Sequence, residues 1–263
     1  MPLLLEALDA IAKVAGSTDD IHGVLDLGSG PGVASVALAQ RFASALVTAV
    51  DASQPLLDRV QGRAARFEVS DRVDTRLADL ERPIDDIAAA GSVDVVWASM
   101  VLHHVSRLPG VLADVHRLLR PGGMLAVMEF GGAHGAFPDG FNVGREGFAE
   151  RLAGAMKSSL EEHLPAGATA LDWKTLLTSA GFELLVDREL AVHRPPPLTD
   201  MERQSFFQTL QMTARHVEGR LDQADLAVLI ALIDVTDPRC VLHRNDLPLD
   251  ISRRLLLAHR REP

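Results

Sequence analysis

The chain has 263 residues, 47% of them hydrophobic, and a formal net charge of −10. This length allows one sizeable α/β core with some additional structure. The acidic balance and the lack of a basic stripe argue against a nucleic acid as partner. Because Cys240 is the only cysteine, an intramolecular disulfide and the Cys/His zinc patterns are excluded.

The first 15 residues carry leucines and an isoleucine at helical spacing, interrupted by Glu6 and Asp9. This segment has neither the basic start nor the apolar core of a signal peptide. No stretch approaches the ~18 consecutive apolar residues of a membrane span. We therefore expect a cytoplasmic, reduced protein without membrane association.

Between His22 and about Phe130, short β-branched runs alternate with helical patterns, which is typical of a parallel sheet with crossover helices. The predicted strands are Gly23–Leu27, Leu46–Val50, Val73–Ala78, Val93–Ala98 and Met124–Phe130. The predicted helices are Val33–Phe42, Gln54–Phe67 and Leu108–Leu119. The sequence Arg120-Pro121-Gly122-Gly123 is expected to break the chain before the fifth strand.

After Phe130 the alternation stops, and a glycine-rich segment over 131–147 predicts a loop. Further predicted elements are helices over 146–164 and 172–180, a strand over 182–193, a mostly helical stretch over 199–233 and a final strand over 251–259. We therefore predict a single domain over 1–263, with lid or substrate insertions at 131–168 and 196–248.

The strongest chemical signal is Val24-Leu25-Asp26-Leu27-Gly28-Ser29-Gly30-Pro31-Gly32. An apolar strand leads into a glycine-rich turn that opens a helix. Glycines allow positive φ angles and close approach of a ligand, and the start of a helix offers free N–H groups. A turn of this kind alone also fits a simple packing device or a dinucleotide site.

Two carboxylates follow at the ends of the next strands. Asp51 comes 19 residues after Gly32, where a carboxylate can accept hydrogen bonds from both hydroxyls of a ribose. Asp79 follows the third strand in the same way. The alternatives are that Asp51 caps the next helix and that Asp79 is an ordinary loop residue.

Two further motifs follow, Val101-Leu102-His103-His104-Val105 and Leu119-Arg120-Pro121-Gly122-Gly123. Together, these motifs resemble those of the class I S-adenosylmethionine-dependent methyltransferases. The resemblance is strong over about 22–130 and weaker over 170–193. It implies a Rossmann-like seven-stranded α/β sheet, mostly parallel with an antiparallel last strand, with helices on both faces and helical lid insertions.

The resemblance also implies roles for individual residues toward S-adenosylmethionine. Gly28, Gly30 and Gly32 would line the methionine end, with Asp26 bracing the turn. Asp51, with Ala52 beside it, would hold the ribose, and Asp79 with the Leu80 backbone would recognise the adenine. Ala98 and Ser99 would close the floor of the pocket. No metal is expected.

NAD is the alternative cofactor. Its usual fingerprint has the third glycine one position later, where this sequence has Val33. Nothing else in the chain resembles the substrate machinery of a dehydrogenase, so S-adenosylmethionine is the favoured cofactor.

The sequence lacks the motifs of methyltransferases that act on DNA, RNA or protein. Residues 98–101 also lack the metal-binding carboxylate of the catechol-type enzymes, and Cys240 lies in no motif of a nucleophilic cysteine. The small-molecule, natural-product-type group remains. In its O-methyltransferases a histidine matching His103 removes the acceptor proton, which suits an imidazole with a pKa near 6.5. His104 is a second candidate base. Alternatives are structural histidines, C- or N-methylation without a base, and a non-catalytic protein that binds the cofactor.

Apolar side chains in the two insertions predict a lid over a hydrophobic or aromatic small-molecule acceptor. They include Phe137, Phe141, Phe148, Met156, Phe206, Phe207 and Met212. The alternative interpretation is equally open: they form the core of a helical subdomain or a contact within a homodimer.

Overall fold

A seven-stranded sheet organises the chain, in the order β3-β2-β1-β4-β5-β7-β6. The computed structural model describes residues 2–131 and 143–261, except the side chain of Thr169. Strands β1 to β5 pair in parallel, and β7 runs antiparallel to β5. This confirms the predicted fold class and the antiparallel last strand.

The observed elements lie close to those predicted. The strands are β1 Gly23–Leu27, β2 Leu46–Asp51, β3 Val73–Leu77, β4 Val93–Ser99, β5 Leu119–Phe130, β6 Phe182–Arg194 and β7 Leu249–Arg260. The α-helices are α1 Pro2–Ala15, α2 Val33–Arg41, α3 Gln54–Arg66, α4 Leu108–Leu118, α5 Phe148–His163, α6 Trp173–Ser179, α7 Asp200–His216 and α8 Gln223–Ile233.

The main core lies against the central strands of the sheet. Every residue of β4 from Val93 to Ala98 is buried, as expected for a parallel strand covered on both sides. On one side, Val96 and Leu125 pack in a single cluster with Val111 of α4. This burial fixes the strand register, and with it the positions at which the strands end.

The start of β5 differs from the prediction. Residues 120–123 were expected to break the chain ahead of the strand, but β5 already begins at Leu119. The pairing with β4 shifts between Val93 and Val95, and Gly122 has a φ of +72°. Such an irregularity lets a strand accommodate proline and glycine while its pairing continues on either side.

Side chains before three helices explain where those helices begin. Asp172 accepts a hydrogen bond from the backbone N–H of Thr175, and Asp222 accepts one from that of Asp225. Thr199 and Glu202 form a reciprocal capping box at α7. Each cap satisfies N–H groups that have no partner inside the helix.

The chain divides into two compact units. The first consists of residues 1–130, 170–190 and 253–263 and contains most of the sheet; the second consists of 131–169 and 191–252. The predicted insertions at 131–168 and 196–248 fall within the second unit. Their function as a lid stays a prediction. Within the described residues, no helix is long and apolar enough to cross a membrane.

The second unit has a hydrophobic core of its own. Phe148, Phe206 and Phe207 are buried in it together with Leu210 and Leu232. Met156 packs against the cluster, whereas Met212 is largely exposed. Phe137 and Phe141 lie outside the described residues. For the three buried phenylalanines, the structure therefore favours the interpretation as subdomain core.

A buried carboxylate joins two helices of this unit, α5 and α8. Asp225, at the start of α8, is 1% exposed. Its oxygens accept hydrogen bonds from Nε of Arg151, on α5, at 2.6 Å and from Nε of Arg145 at 2.9 Å. The two guanidinium groups hold the pKa of Asp225 well below its ordinary value, so the carboxylate is charged and doubly paired.

We predict that Asp225→Asn destabilises the protein, because the amide has one accepting oxygen in place of two and loses the negative charge that pairs with both guanidinium groups. Partial exposure of the arginines limits the loss to about 1–2 kcal/mol in the free energy of unfolding. The folded-state pKa lies below the unfolded value of ~3.9, so the loss is complete above about pH 5 and shrinks as the pH falls further. Urea unfolding at pH 7 and pH 3 measures both.

The matched control is Asp200→Asn in the same unit, since Asp200 also pairs with an arginine, Arg203, but its side chain is 97% exposed. It should leave stability unchanged. Equal stability of Asp225→Asn and the wild type at pH 7 would contradict the prediction.

Candidate functional site

The candidate residues lie along one edge of the sheet, where the parallel strands end. Strands β1 to β4 end at Leu27, Asp51, Leu77 and Ser99. Ligands of open α/β sheets bind outside the carboxyl ends of the strands. The sheet order therefore lines up the segments after β3, β2, β1, β4 and β5 along this edge.

The turn after β1 needs its glycines for two separate reasons. Gly28, Gly30 and Gly32 have φ angles of +65°, +52° and +78°, a region that other residues rarely adopt. A β-carbon on Gly28 would lie 2.2 Å from Cγ2 of Val101, and one on Gly32 would lie 2.9 Å from Cα of Val60. The turn is thus packed tightly between the loop after β4 and helix α3.

The middle of the turn is open. A β-carbon on Gly30 would meet nothing within 4 Å. Beside it, the hydroxyl of Ser29 is buried and has no hydrogen-bond partner among the described residues. A turn with open space above it and an unused polar group beside it fits the polar methionine end of S-adenosylmethionine.

Asp51 is oriented by backbone groups at the end of β2. Its Oδ2 accepts from the N–H of Gly30 at 2.9 Å, and its Oδ1 accepts from that of Ser53 at 2.9 Å. Asp51 is half-buried. A carboxylate has about four acceptor positions, so the two bonds fix its direction and leave capacity for a ribose.

Asp26 lies beneath the turn. It is 2% exposed, and Ser35 of α2 donates a hydrogen bond to its Oδ2 at 2.5 Å. Burial raises the pKa of Asp26 to about 7, although the bond from Ser35 opposes the rise. Asp26 therefore ties β1 to α2 across the turn, which is consistent with a bracing role.

The other predicted cofactor residues lie at the same edge in different environments. Asp79 and Ala52 are exposed, whereas Leu80 and Ala98 are buried and Ser99 is half-buried. The carboxylate of Asp79 accepts from the N–H of Glu81 at 3.0 Å. Exposed groups after β2 and β3 beside a buried β4 floor match a pocket with one open side.

His103 is held by a buried carboxylate. Its Nδ1 lies 2.5 Å from Oε2 of Glu129, and both side chains are 3% exposed. The other oxygen, Oε1, accepts from the N–H groups of Leu102 at 2.9 Å and Val101 at 3.2 Å. Because an ionised carboxylate can only accept, this contact selects the tautomer of a neutral ring in which Nδ1 carries the proton and Nε2 is the acceptor.

His104 has a different environment, although the ring centroids of the two histidines are 4.1 Å apart. Its side chain is exposed. Partial burial and the neighbouring His103 lower the pKa of His104 below its ordinary value. The Phe130 ring also contacts the His103 ring, at 4.6 Å between centroids.

The resemblance to natural-product O-methyltransferases includes Glu129 downstream of the histidines but gives it no role, and the sequence does not single out Met100. Met100 has a φ of +53°, a conformation that is costly outside glycine and often occurs at functional sites. Glu129 was visible as the one acidic residue at the end of the apolar run Met124–Met128. Burial of a carboxylate without partners costs free energy, so its place at the end of an apolar strand indicates that Glu129 has hydrogen-bond partners.

Among the described residues, no group of three or more His, Cys, Asp or Glu side chains could hold a metal ion. The expectation from the sequence that no metal is needed therefore stays a prediction.

Comparison with known sequences identifies the domain. Residues 25–127 match the profile of a family described as a methyltransferase domain. The match covers the glycine turn, Asp51, Asp79 and both histidines. This part of the chain is a class I S-adenosylmethionine-dependent methyltransferase domain, as the sequence predicts.

Two curated relatives match over the same region. The 27-O-demethylrifamycin SV methyltransferase of Amycolatopsis mediterranei is 37% identical over 108 residues, which are 41% of this chain and 38% of the relative. The ubiquinone biosynthesis O-methyltransferase of Pseudomonas paraeruginosa is 36% identical over 124 residues, 47% of this chain and 49% of the relative. The chain thus spans less than half the length of both relatives.

Among solved structures, the cyclase SpnF aligns with 97% of this chain and 81% of its own, with a TM-score of 0.56 and 18% identity. At this identity the similarity concerns the fold alone.

We predict that Gly28→Ala weakens binding of S-adenosylhomocysteine at least tenfold. The new methyl group would overlap the Val101 side chain, and alanine is strained at this φ angle. Isothermal titration calorimetry gives the affinity. The double variant Gly28→Ala/Val101→Gly removes the whole overlapping side chain, including the Cβ that would lie 2.7 Å away. It should recover part of the lost binding, because the strain at this φ angle remains. Undiminished binding by Gly28→Ala would show that the tight packing is unimportant for the cofactor.

Proposed function

We propose that this protein transfers a methyl group from S-adenosylmethionine to an oxygen atom of a small, hydrophobic or aromatic acceptor, with His103 as general base. The observation that carries the proposal is the buried contact between His103 and Glu129. Both curated relatives described above are methyltransferases, and one is named an O-methyltransferase.

The cofactor-binding residues in this proposal are those of the sheet edge. Gly28, Gly30 and Gly32 line the methionine end above Asp26. Asp51 and Ala52 bind the ribose, Asp79 and Leu80 bind the adenine, and Ala98 and Ser99 form the floor. The orientation of Asp51 by Gly30 and Ser53 supports its role, because a carboxylate fixed before binding loses little freedom when a ribose arrives.

When bound, the cofactor supplies an electrophilic methyl group on a sulfonium. His103 Nε2 would accept the proton of the acceptor hydroxyl as its oxygen takes the methyl group. The cofactor, held by the residues of the sheet edge, would leave as S-adenosylhomocysteine with the electron pair of its carbon–sulfur bond. Glu129 stabilises the imidazolium that forms, as an acidic residue does for the base of a catalytic triad.

Two features support His103 over His104 as the base. The Glu129 contact fixes both the ring orientation and the tautomer of His103, which lowers the entropy cost of proton transfer. Its burial excludes water, which strengthens the interaction between the ring and Glu129. The lowered pKa of His104 keeps that ring neutral at pH 7. It can therefore also accept a proton, and it is the second candidate base.

Two other functions remain in competition. A C- or N-methyltransferase needs no base, and His103 would then serve as a packing residue. The second alternative is a cofactor-binding protein without methyl transfer, because a fold does not determine a reaction.

The first prediction concerns the cofactor. Calorimetric titration should show micromolar binding of S-adenosylhomocysteine, loss of at least tenfold in affinity for Asp51→Ala, and no binding of NAD. Asp58→Ala, on the exposed side of α3, is the control and should bind as the wild type does. Absence of S-adenosylhomocysteine binding by the wild type would overturn the proposed function.

The second prediction separates a base from a packing residue. In Glu129→Gln, the amide oxygen can still accept from Val101 and Leu102, but the amide nitrogen faces Nδ1 and favours the opposite tautomer of His103. We expect kcat to fall about 10²–10⁴-fold with unchanged cofactor binding. The measurement is turnover of an acceptor found by screening phenols with methyl-labelled S-adenosylmethionine.

His103→Ala should lose activity to a similar extent, and the two losses should not add, because both variants disable one unit. Glu81→Gln is the matched control, since Glu81 also accepts from a backbone N–H of this loop, that of Ser106. Full turnover by His103→Ala would favour C- or N-methylation instead.

A further inference from the structure

A short turn after β3 carries the two groups that the proposed function assigns to the adenine, the Asp79 carboxylate and the Leu80 N–H. The N–H of Arg82 donates to the carbonyl oxygen of Asp79 at 2.9 Å, and the N–H of Glu81 donates to the Asp79 side chain at 3.0 Å. Among the described residues, nothing accepts a hydrogen bond from the N–H of Leu80. The turn leaves this donor available, and its direction depends on what holds the turn.

The guanidinium of Arg107 holds this turn by its backbone. Its Nη1 donates to the carbonyl oxygen of Arg82 at 2.9 Å and to that of Leu80 at 3.3 Å. Its Nη2 donates to Asp114 of α4 at 3.0 Å, and the side chains of Arg107 and Asp114 are 26% and 14% exposed. A planar guanidinium can make these bonds together because its N–H donors point in fixed directions. Arg107 thus fixes the turn relative to α4.

A glycine makes room for this guanidinium. A β-carbon on Gly110, in the first turn of α4, would lie 2.7 Å from Nη2 of Arg107 and 3.0 Å from its Cζ. Glycine inside a helix is less stable than alanine. The sequence therefore has the less stable residue at the one place in α4 where a methyl group would displace Arg107 from the turn.

A second contact joins the turn to the loop after β4 without Arg107. The side chain of Glu81 accepts from the N–H of Ser106 at 2.7 Å and from its hydroxyl at 2.6 Å. This contact stays when Arg107 is replaced. Loss of Arg107 should therefore change the direction of the turn without separating it from the loop.

We propose that Arg107 is a positioning residue for recognition of the adenine, so that the preference of the protein for adenine over other purines depends on it. This inference rests on the proposed function, in which Asp79 and Leu80 bind the adenine. The amino group of adenine donates to the Asp79 carboxylate, and N1 of the ring accepts from the Leu80 N–H. Arg107 acts through the turn that carries both groups and not on the cofactor itself.

Hypoxanthine reverses both of these hydrogen bonds. It has a carbonyl oxygen in place of the amino group and a hydrogen on N1. An oxygen would then face the Asp79 carboxylate, and two N–H groups would face each other at Leu80. A site of fixed polar groups rejects such a ligand, because its own groups lose their partners. A turn that is free to reorient rejects it less.

Calorimetric titration with S-adenosylhomocysteine and with its hypoxanthine counterpart, S-inosylhomocysteine, tests the inference without turnover. We expect the wild type to bind the adenosine compound about a hundredfold more tightly. Arg107→Gln should reduce this ratio to about tenfold or less, mainly by weakening the binding of the adenosine compound. Arg107→Lys should retain part of the ratio, because an ammonium group can still donate to a carbonyl oxygen of the turn.

Gly110→Ala tests the same role with Arg107 still present. The added methyl group displaces the guanidinium, so the ratio should fall, whereas the thermal unfolding temperature should stay the same or rise. Arg117→Gln is the matched control. Arg117 also joins α4 to the segment between β3 and β4, but through an ion pair with the side chain of Asp85, and its replacement should preserve the wild-type ratio.

No preference for the adenosine compound in the wild type would overturn the inference. An unchanged ratio in Arg107→Gln would also overturn it, including equal weakening of both compounds; if that variant does not fold, the ratio of Gly110→Ala decides in the same way. A ratio that depends on Arg107, without methyl transfer to any acceptor, would refute the proposed function alone. His103-dependent methyl transfer with an unchanged ratio in Arg107→Gln would refute only the role of Arg107.

Discussion

The turn after β1 and the loop after β4 approach each other so closely that Gly28 has no room for a β-carbon beside Val101. This contact places the proposed cofactor turn next to the segment that carries the two histidines. It requires a glycine with positive φ on one side and a small branched side chain on the other. Parallel strands make the contact necessary, because both segments leave the sheet at the same edge and must share the space above it.

Glu129 supports the same loop from the neighbouring strand. Its carboxylate is buried at the end of β5, where an unpaired charge would destabilise the fold by several kcal/mol. Three donors from residues 101–103 compensate for that burial. The same bonds hold the backbone that follows the strained Met100 and fix the tautomer of His103. One buried charge therefore serves both the fold and the proposed chemistry, and neither use can be changed without affecting the other.

The sequence predicts the sheet well because its signals are local. The strand Val93–Ala98 is apolar apart from Asp94, and helices such as α7 carry their capping residues beside them. The irregular start of β5 was missed, since pairing across a proline depends on a partner strand that local patterns do not reveal. The pairing of His103 with Glu129 joins residues 26 positions apart, and that of Phe130 with Arg253 joins β5 to the last strand. Contacts of this kind follow from topology and cannot be predicted from spacing.

The polar groups along this edge of the sheet suit different parts of the two proposed ligands. Asp79 and Asp51, after β3 and β2, are acidic groups suited to the hydroxyl and amino groups of a nucleoside, which donate hydrogen bonds. The loop after β4 instead carries His103, whose ring is held by Glu129 and suits the removal of a proton from an acceptor hydroxyl. The sheet order places this loop beside the glycine turn after β1, with the segments after β2 and β3 beyond that turn. In the proposed function the nucleoside and the acceptor therefore bind on opposite sides of the glycine turn, and the methyl group is transferred next to it.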